Sequence, residues 1–226
     1  NSIKNQNYPR NKFRIIYVND NSTDNTEKIV RKFMNQNKDI NIELINNDKN
    51  MGPAYSRYIS CKKCEDNEIC VFLDGDDFLV NNSTLSTLSY IYNNYDIYAT
   101  FGSMLNEPWQ FSRWKMYIRN HKVNYYPHLR TAKANICKKI PVEYLKYKNQ
   151  EWFEYKSDVA LFISIIELCN YKFAFVKNVF IEYNNYNNFY NNERGYYNSK
   201  RNMKQIVKRN NYNNYIRNLK PLSSVV

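Results

Sequence analysis

Glycine is nearly missing from this chain of 226 residues, which holds four: Gly52, Gly75, Gly102 and Gly195. A sequence so poor in the residue that best tolerates left-handed backbone spends it where the chain turns sharply or where backbone approaches a ligand. Gly52 and Gly75 each fall inside a polar turn, so function and plain turn formation are both open for them. Long apolar runs are missing too. No stretch approaches the ~20 residues of a membrane span, and the start, Asn1-Ser2-Ile3-Lys4, has no apolar signal-peptide core. The chain therefore reads as soluble, with no membrane segment.

Cysteine is sparse and odd in number (Cys61, Cys64, Cys70, Cys137, Cys169), which excludes a dense secreted disulfide scaffold and favours a reducing, cytoplasmic compartment. Cys61 and Cys64 form a C-x-x-C, but no second Cys or His pair follows at zinc-ribbon spacing, so these residues read as packing cysteines. Negative charge is also short. With 33 Lys and Arg against 21 Asp and Glu, the net charge of +12 implies an anionic partner: nucleic acid, acidic membrane or a phosphate-bearing small molecule.

What the chain does have is enough apolar material for one domain, 43% of residues with 22 Tyr and 12 Phe. Residues 13–19, Phe-Arg-Ile-Ile-Tyr-Val-Asn, read as a buried strand. A polar turn rich in N-cap residues then leads into a helix from Glu27 to Met34. A second strand is expected over 40–45, a second helix over 53–64 and a fully apolar third strand over 69–73. Another helix is expected up to Asn94, with a strand near 96–101. Strands alternating with helices predict a layered α/β sheet with mostly parallel pairing, whose ligands bind beyond the carboxyl ends of the strands. Later, 157–169 reads as a well-buried helix, and 173–176 and 179–182 as short strands. The aromatic stretch from Trp109 to Tyr126 gives no clear element. Trp109, Trp114 and Trp152 read as core residues or as a stacking platform for an acceptor. The segment 184–226 is rich in Asn and Tyr with scattered Lys and Arg, and reads as a solvated, partly flexible basic tail.

The most informative string is Asp74-Gly75-Asp76-Asp77, directly after the third strand. Three crowded carboxylates repel unless a cation offsets them, and a hard divalent ion does so while keeping positions open for a diphosphate. An acidic surface turn is the plainer reading. The order and spacing of three blocks, Tyr17-Val18-Asn19-Asp20-Asn21-Ser22-Thr23-Asp24-Asn25-Thr26, then Asn50-Met51-Gly52-Pro53-Ala54 with Arg57, then Val71 to Asp77, resemble the nucleotide-binding half of family 2 glycosyltransferases.

That resemblance implies a GT-A fold, Rossmann-like, over 1–183. The nucleotide-binding half would span about 1–105 and the acceptor half about 106–183. It implies that Asp20 contacts the base, that the turn containing Asn50, Gly52 and Arg57 holds the nucleoside, and that Asp74 and Asp76 form the D-x-D pair for Mn2+ or Mg2+. Asp76 is then the expected direct metal ligand, and Asp74 contacts ribose or metal. The family usually has Asp-Asp-Gly where this chain has Asn19-Asp20-Asn21, a change that Asn accommodates because it tolerates left-handed backbone. Nothing before Phe13 looks like the apolar strand with which family members begin. The first nine residues instead resemble the end of the first helix and its loop, so that strand is expected to be lacking from its place between the strands at 13–19 and 69–73.

In the second half, His128-Leu129-Arg130-Thr131, Ser157-Asp158-Val159 opening a helix, and Tyr183-Asn184 are similar to blocks of the same family. The resemblance implies that Asp158 is the general base for the acceptor hydroxyl, against the plainer role of Ser157 or Asp158 as an N-cap. His128 completes the metal shell, binds pyrophosphate or packs. Arg130, Arg194, Lys200 and Arg201 are candidates for neutralising the leaving diphosphate. The resulting expectation is an inverting hexosyl transfer from a nucleoside-diphosphate sugar, a UDP-sugar by resemblance, to an acceptor hydroxyl that the sequence does not specify. Its rivals are nucleotidyl transfer on a related sheet, a basic nucleic-acid binder and a non-catalytic or truncated GT-A fragment. With the sugar-transfer reading, no nucleic-acid partner is expected.

Overall fold

The computed structural model of the chain describes residues 1–104, 128–148, 150–182 and 203–226. Its first half alternates as the sequence patterns predict: β1 (Arg14–Asn19), α1 (Thr26–Gln36), β2 (Asn41–Asn46), α2 (Pro53–Lys63), β3 (Ile69–Phe72), β4 (Phe78–Leu79), α3 (Thr84–Asn94) and β5 (Ala99–Met104). The second half adds β6 (Arg130–Lys133), α4 (Ala134–Cys137), β7 (Lys146–Tyr147), β8 (Glu151–Trp152), α5 (Ser157–Leu168), β9 (Phe173–Glu182) and α6 (Met203–Asn218).

The strands lie in two main sheets. β1 and β2 pair in parallel, Arg14 opposite Asn41 through Asn19 opposite Asn46. The larger sheet runs β3-β6-β5-β9-β4. Mostly parallel pairing was expected, but within this sheet β5–β9 is parallel and the other three pairs are antiparallel. Two of the three come from β6, which inserts between β3 and β5 and runs against both, with Phe72 opposite Arg130 and Ala99 opposite Ala132, and the third is the short edge strand β4 against the end of β9. Its sequence, Arg-Thr-Ala-Lys, carries no apolar alternation, so its pairing role is not visible in a periodicity scan. The two strands expected at 173–176 and 179–182 are one continuous strand, β9.

β1 and β3 are not hydrogen-bonded to each other, as the resemblance implied. Side chains link the two sheets instead. Arg14 donates through Nε and Nη2 to the two carboxylate oxygens of Glu68, each at 2.8 Å, and through Nη2 to Lys63 O at 2.7 Å. The expectation that β1 is a buried strand is corrected. The apolar residues Ile15 to Val18 are all only half-buried, because the sheet of β1 has a single further strand.

The dense part of the molecule lies around α5. Ser157 and Val159 to Leu168 are buried, packed with Ala132, Ile136, Cys137, Phe101 and Phe153 in one cluster. The C-terminal segment from 203 onward joins this core, where a solvated basic tail was expected. Tyr212 and Ile216, one helical turn apart on α6, are 0% exposed. The Tyr212 hydroxyl donates to Glu151 Oε1 at 2.7 Å, Tyr144 Oη donates to Lys220 O at 2.7 Å, and Val225 N donates to Leu168 O at 2.9 Å. Among the described residues, no helix is long and apolar enough to cross a membrane.

Candidate functional site

β3 ends at Phe72, and the chain turns through Asp74-Gly75-Asp76-Asp77 before β4. Because β6 is antiparallel to β3, its first residues lie at this same end, and His128 and Arg130 arrive beside the acidic turn. Gly102 borders that segment, and a Cβ there would make ordinary contacts with Leu129 N at 3.4 Å and His128 O at 3.5 Å. Carboxylate oxygens of Asp74 and Asp77 and a ring nitrogen of His128 all lie within 4.8 Å of one another. Asp77 is buried, whereas Asp76 is exposed and lies outside this group. The sequence reading placed Asp76 in the shell; the folded turn presents its neighbour.

Two arginines bind the turn to the helices. Arg57, on α2, donates from Nη2 to Asp74 Oδ1 at 2.6 Å and from Nη1 to Ser157 Oγ at 2.7 Å. Arg130, whose side chain is 5% exposed, donates from Nη1 to His128 Nε2 at 3.0 Å and pairs through Nη2 with Asp158 Oδ2 at 3.0 Å. A guanidinium can only donate, so His128 Nε2 is an acceptor and its proton sits on Nδ1. Burial first, and then the Arg130 charge, lower the His128 pKa to about 4, so this imidazole is neutral near pH 7. Burial alone would raise the Asp158 pKa, but Arg130 and Arg57 outweigh it and hold it at about 2. The N-cap of α5 is Lys156, in left-handed backbone and with no side-chain cap. Neither Ser157 nor Asp158 fills that position: Ser157 serves Arg57, and Asp158 serves Arg130.

The second turn of the candidate site is built on Asp20, just past β1. Asp20 Oδ1 accepts from Asn47 Nδ2 at 2.7 Å and Met51 N at 2.8 Å, and Oδ2 accepts from Gly52 N at 2.7 Å. Gly52 has φ +86, which a side chain would resist, and it opens α2 directly before Pro53. Asn50 is exposed at the lip of this turn. Asn21 adopts φ +57, the left-handed backbone that made Asn acceptable where the family has Gly. Gly75 has no positive φ; a Cβ there would meet Tyr17 Oη at 3.4 Å. Trp152 packs against Tyr55 and Tyr58 of α2, ring centroids 5.1 and 5.3 Å apart. Trp109, Trp114, Tyr183, Arg194, Gly195, Lys200 and Arg201 lie outside the described residues.

Two polar turns thus meet at one end of the strands, one preorganised by backbone amides and the other lined by acids, an imidazole and two arginines. The family model described as glycosyl transferase family 2 matches residues 1–148. The chain belongs to glycosyl transferase family 2. Family 2 relatives include the poly(ribitol-phosphate) beta-N-acetylglucosaminyltransferase TarS of Staphylococcus aureus, 35% identical over 86 residues, which are 38% of this chain and 14% of that one. An uncharacterized glycosyltransferase of Haemophilus influenzae is 28% identical over 124 residues, 55% of this chain and 47% of that one. The chain therefore spans a minor part of the length of these relatives. Among solved structures, TarS 1–349 in complex with UDP aligns with a TM-score of 0.60 at 18% identity, over 80% of this chain and 54% of that one. The mannosyltransferase PcManGT of Pyrobaculum calidifontis, in complex with GDP-Man and Mn2+, aligns with a TM-score of 0.61 at 18% identity, over 98% and 60%. These likenesses establish the family's GT-A α/β fold for this chain.

Two features of the site escaped the sequence reading. Asp77 was one carboxylate of a string whose local turn decides which member faces inward. Ser157 carried no signal beyond its place at a helix start.

Proposed function

We propose that this chain transfers a sugar, with inversion, from a nucleoside-diphosphate sugar of the UDP class to an acceptor hydroxyl, with a hard divalent cation at Asp74, Asp77 and His128. The observation that carries the reading is the convergence of those three ligating groups within 4.8 Å, beside Arg57, Arg130 and Asp158. Two carboxylates and an imidazole suit Mn2+ or Mg2+, and bound there such an ion would neutralise diphosphate charge. The complexes of related folds with UDP and with GDP-Man and Mn2+ support the same class of ligand.

The remaining roles fall to the chain's own residues. Asp20 and the amides it fixes shape the nucleoside side, with Asn50 at the lip. A carboxylate has about four acceptor positions, and the three hydrogen bonds to Asp20 leave one for a base N–H. Arg57 and Arg130 supply cationic hydrogen bonds to the diphosphate. Asp158 takes the proton of the acceptor hydroxyl, and Arg130 governs when it can. While paired with Arg130, Asp158 is a weak base. A diphosphate that draws Arg130 away frees both the Asp158 carboxylate and the His128 Nε2 lone pair. The nucleic-acid reading loses support because Tyr212, in the basic segment offered for base stacking, is fully buried and hydrogen-bonded to Glu151.

Calorimetric titration of UDP with and without Mn2+ tests the site. Asp77→Asn is expected to remove the Mn2+-dependent gain in UDP affinity, and exposed Asp76→Asn to reduce it less. Mn2+-dependent UDP binding that survives unchanged in the Asp74→Asn, Asp77→Asn double variant would sink the assignment.

A further inference from the structure

Four of the five cysteines converge on one point away from the acidic turn. Cys61 lies in the last turn of α2, Cys64 at its C-cap, Cys70 on β3 and Cys137 on α4. The Sγ atoms of Cys61, Cys70 and Cys137 all lie within 4.8 Å of one another, and Cys64 Sγ is 3.6 Å from Cys70 Sγ. All are free thiols. Cysteines that merely fill a core have no reason to bring their sulfurs together from three separate elements. Cys169 supplies the internal contrast, being buried with its thiol directed to the backbone carbonyl of Ile166 at 3.4 Å.

We propose that Cys61, Cys70 and Cys137, with Cys64 as the fourth donor at the rim, form a binding site for a thiophilic divalent cation of the Zn2+ class. Metal–thiolate bonds of ~2.3 Å in a tetrahedron place sulfurs about 3.8 Å apart, so the three buried thiols need only small side-chain rotations. Cys64 must turn from Ser60 O, to which its thiol now donates at 3.4 Å. Half-exposed Cys64 gives the ion a way in. Binding moves no electrons: the cation enters, the coordinating thiols become thiolates and their protons leave to solvent, so affinity falls as the medium is acidified. The ion would staple α2 to β3 and α4. Arg57 lies one turn before Cys61 and Asp74 four residues after Cys70, so the staple underlies the helix and strand that carry two donor-site groups.

The inference stands on the thiols alone and is independent of the sugar-transfer reading. Its test is titration of the anaerobic, phosphine-reduced full chain with Cd2+, followed by thiolate-to-metal charge-transfer absorption, which carboxylate-bound metal does not produce. Saturation at about one equivalent, competition by excess Zn2+ and a raised melting temperature are expected. Cys61→Ser and Cys137→Ser should each weaken binding ~10-fold or more, and Cys169→Ser should leave it unchanged. Folding of each variant is checked by circular dichroism, and the wild-type titration is decisive even where a variant does not fold. Absence of a stoichiometric thiolate band in the folded wild-type chain would overturn the proposal, as would undiminished affinity in folded Cys137→Ser or a loss of affinity in folded Cys169→Ser.

Discussion

β1 and α5 are both apolar segments that border the candidate site, yet they end up in different surroundings. In β1, Ile15, Ile16, Tyr17 and Val18 are all half-buried, with β2 as the one paired neighbour. In α5, every residue but Asp158 is buried, enclosed by the larger sheet, α4 and the C-terminal segment. Equal apolarity therefore does not mean equal burial, because burial depends on what the rest of the chain brings over each segment. The β1 side carries the Asp20 turn and contributes backbone amides. The α5 side carries Ser157 and Asp158 and contributes the charged groups. The contrast predicts where the molecule is stiff and where it is tolerant.

Its sharpest test is Phe162→Ala. Phe162 is 0% exposed and meets Phe101 edge-on, ring centroids 6.5 Å apart. Truncating a fully buried Phe costs about 3–5 kcal/mol in transfer and cavity energy. Chemical denaturation should show a loss in that range, and a cost under about 1 kcal/mol would mean the α5 core is not tightly packed.

Acid should act on the α5 side as well. The pKa of His128 is depressed to about 4, so the unfolded chain takes up a proton that the folded chain refuses. Stability is therefore full above the ordinary histidine range near 6.5, falls as the pH drops towards 4, and stays reduced below it. The loss is on the order of 3 kcal/mol. Denaturation in the presence of chelator between pH 7 and 4 should show this slope, and His128→Gln should flatten it. An equal slope in the variant would assign the acid sensitivity to other groups. Asp158 acts lower, its contribution being present above the ordinary carboxylate range and lost as the pH falls towards 2.

Asp158→Asn separates binding from reaction. It removes the proposed base but leaves the Asp20 and Asp74 turns in place, so UDP affinity should change little while turnover falls ~10²-fold or more. Equal losses in both would make Asp158 a positioning partner of Arg130.

Much of this contrast could be read in the sequence, and the rest could not for identifiable reasons. β1, α1, β2, α2, β3, α3 and α5 fall within a few residues of their expected places, because each joins a clear periodicity to a capping or turn signal. β6 did not announce itself: Arg130 and Thr131 are polar residues buried by pairing and by the site, where periodicity has nothing to report. α6 was obscured by its Asn and Lys content, which hides the seam that carries Tyr212 and Ile216. In the candidate site, the three blocks pointed to the Asp20 and Asp74 turns and to Arg57, and the likeness in the second half pointed to Arg130 and Asp158, which the fold brings beside the Asp74 turn. Which carboxylate of Asp74 to Asp77 turns inward depends on the backbone of one tight turn, and residue types alone do not encode it. The same holds for the cysteines. A C-x-x-C without a second pair gave no zinc-ribbon pattern, since Cys70 and Cys137 reach the cluster through a strand pairing and a crossover.

The smallest expected effect completes the comparison. Ile16→Ala removes as many carbons as other Ile truncations, and a fully buried Ile would lose about 2–5 kcal/mol. Ile16 is only half-buried and opposes Glu43 across the β1–β2 pair, so less surface returns to water and little cavity is left behind. The cost should be about 1 kcal/mol, a fall of roughly 2–4 °C in melting temperature for a domain of this size. Measured beside Ile165→Ala on α5, whose side chain is 0% exposed, the pair of variants isolates cover from chemistry because the substitution is the same. A cost at Ile16 equal to that at Ile165 would show that β1 is enclosed in solution, and the contrast between the two sides of the molecule would fall with it.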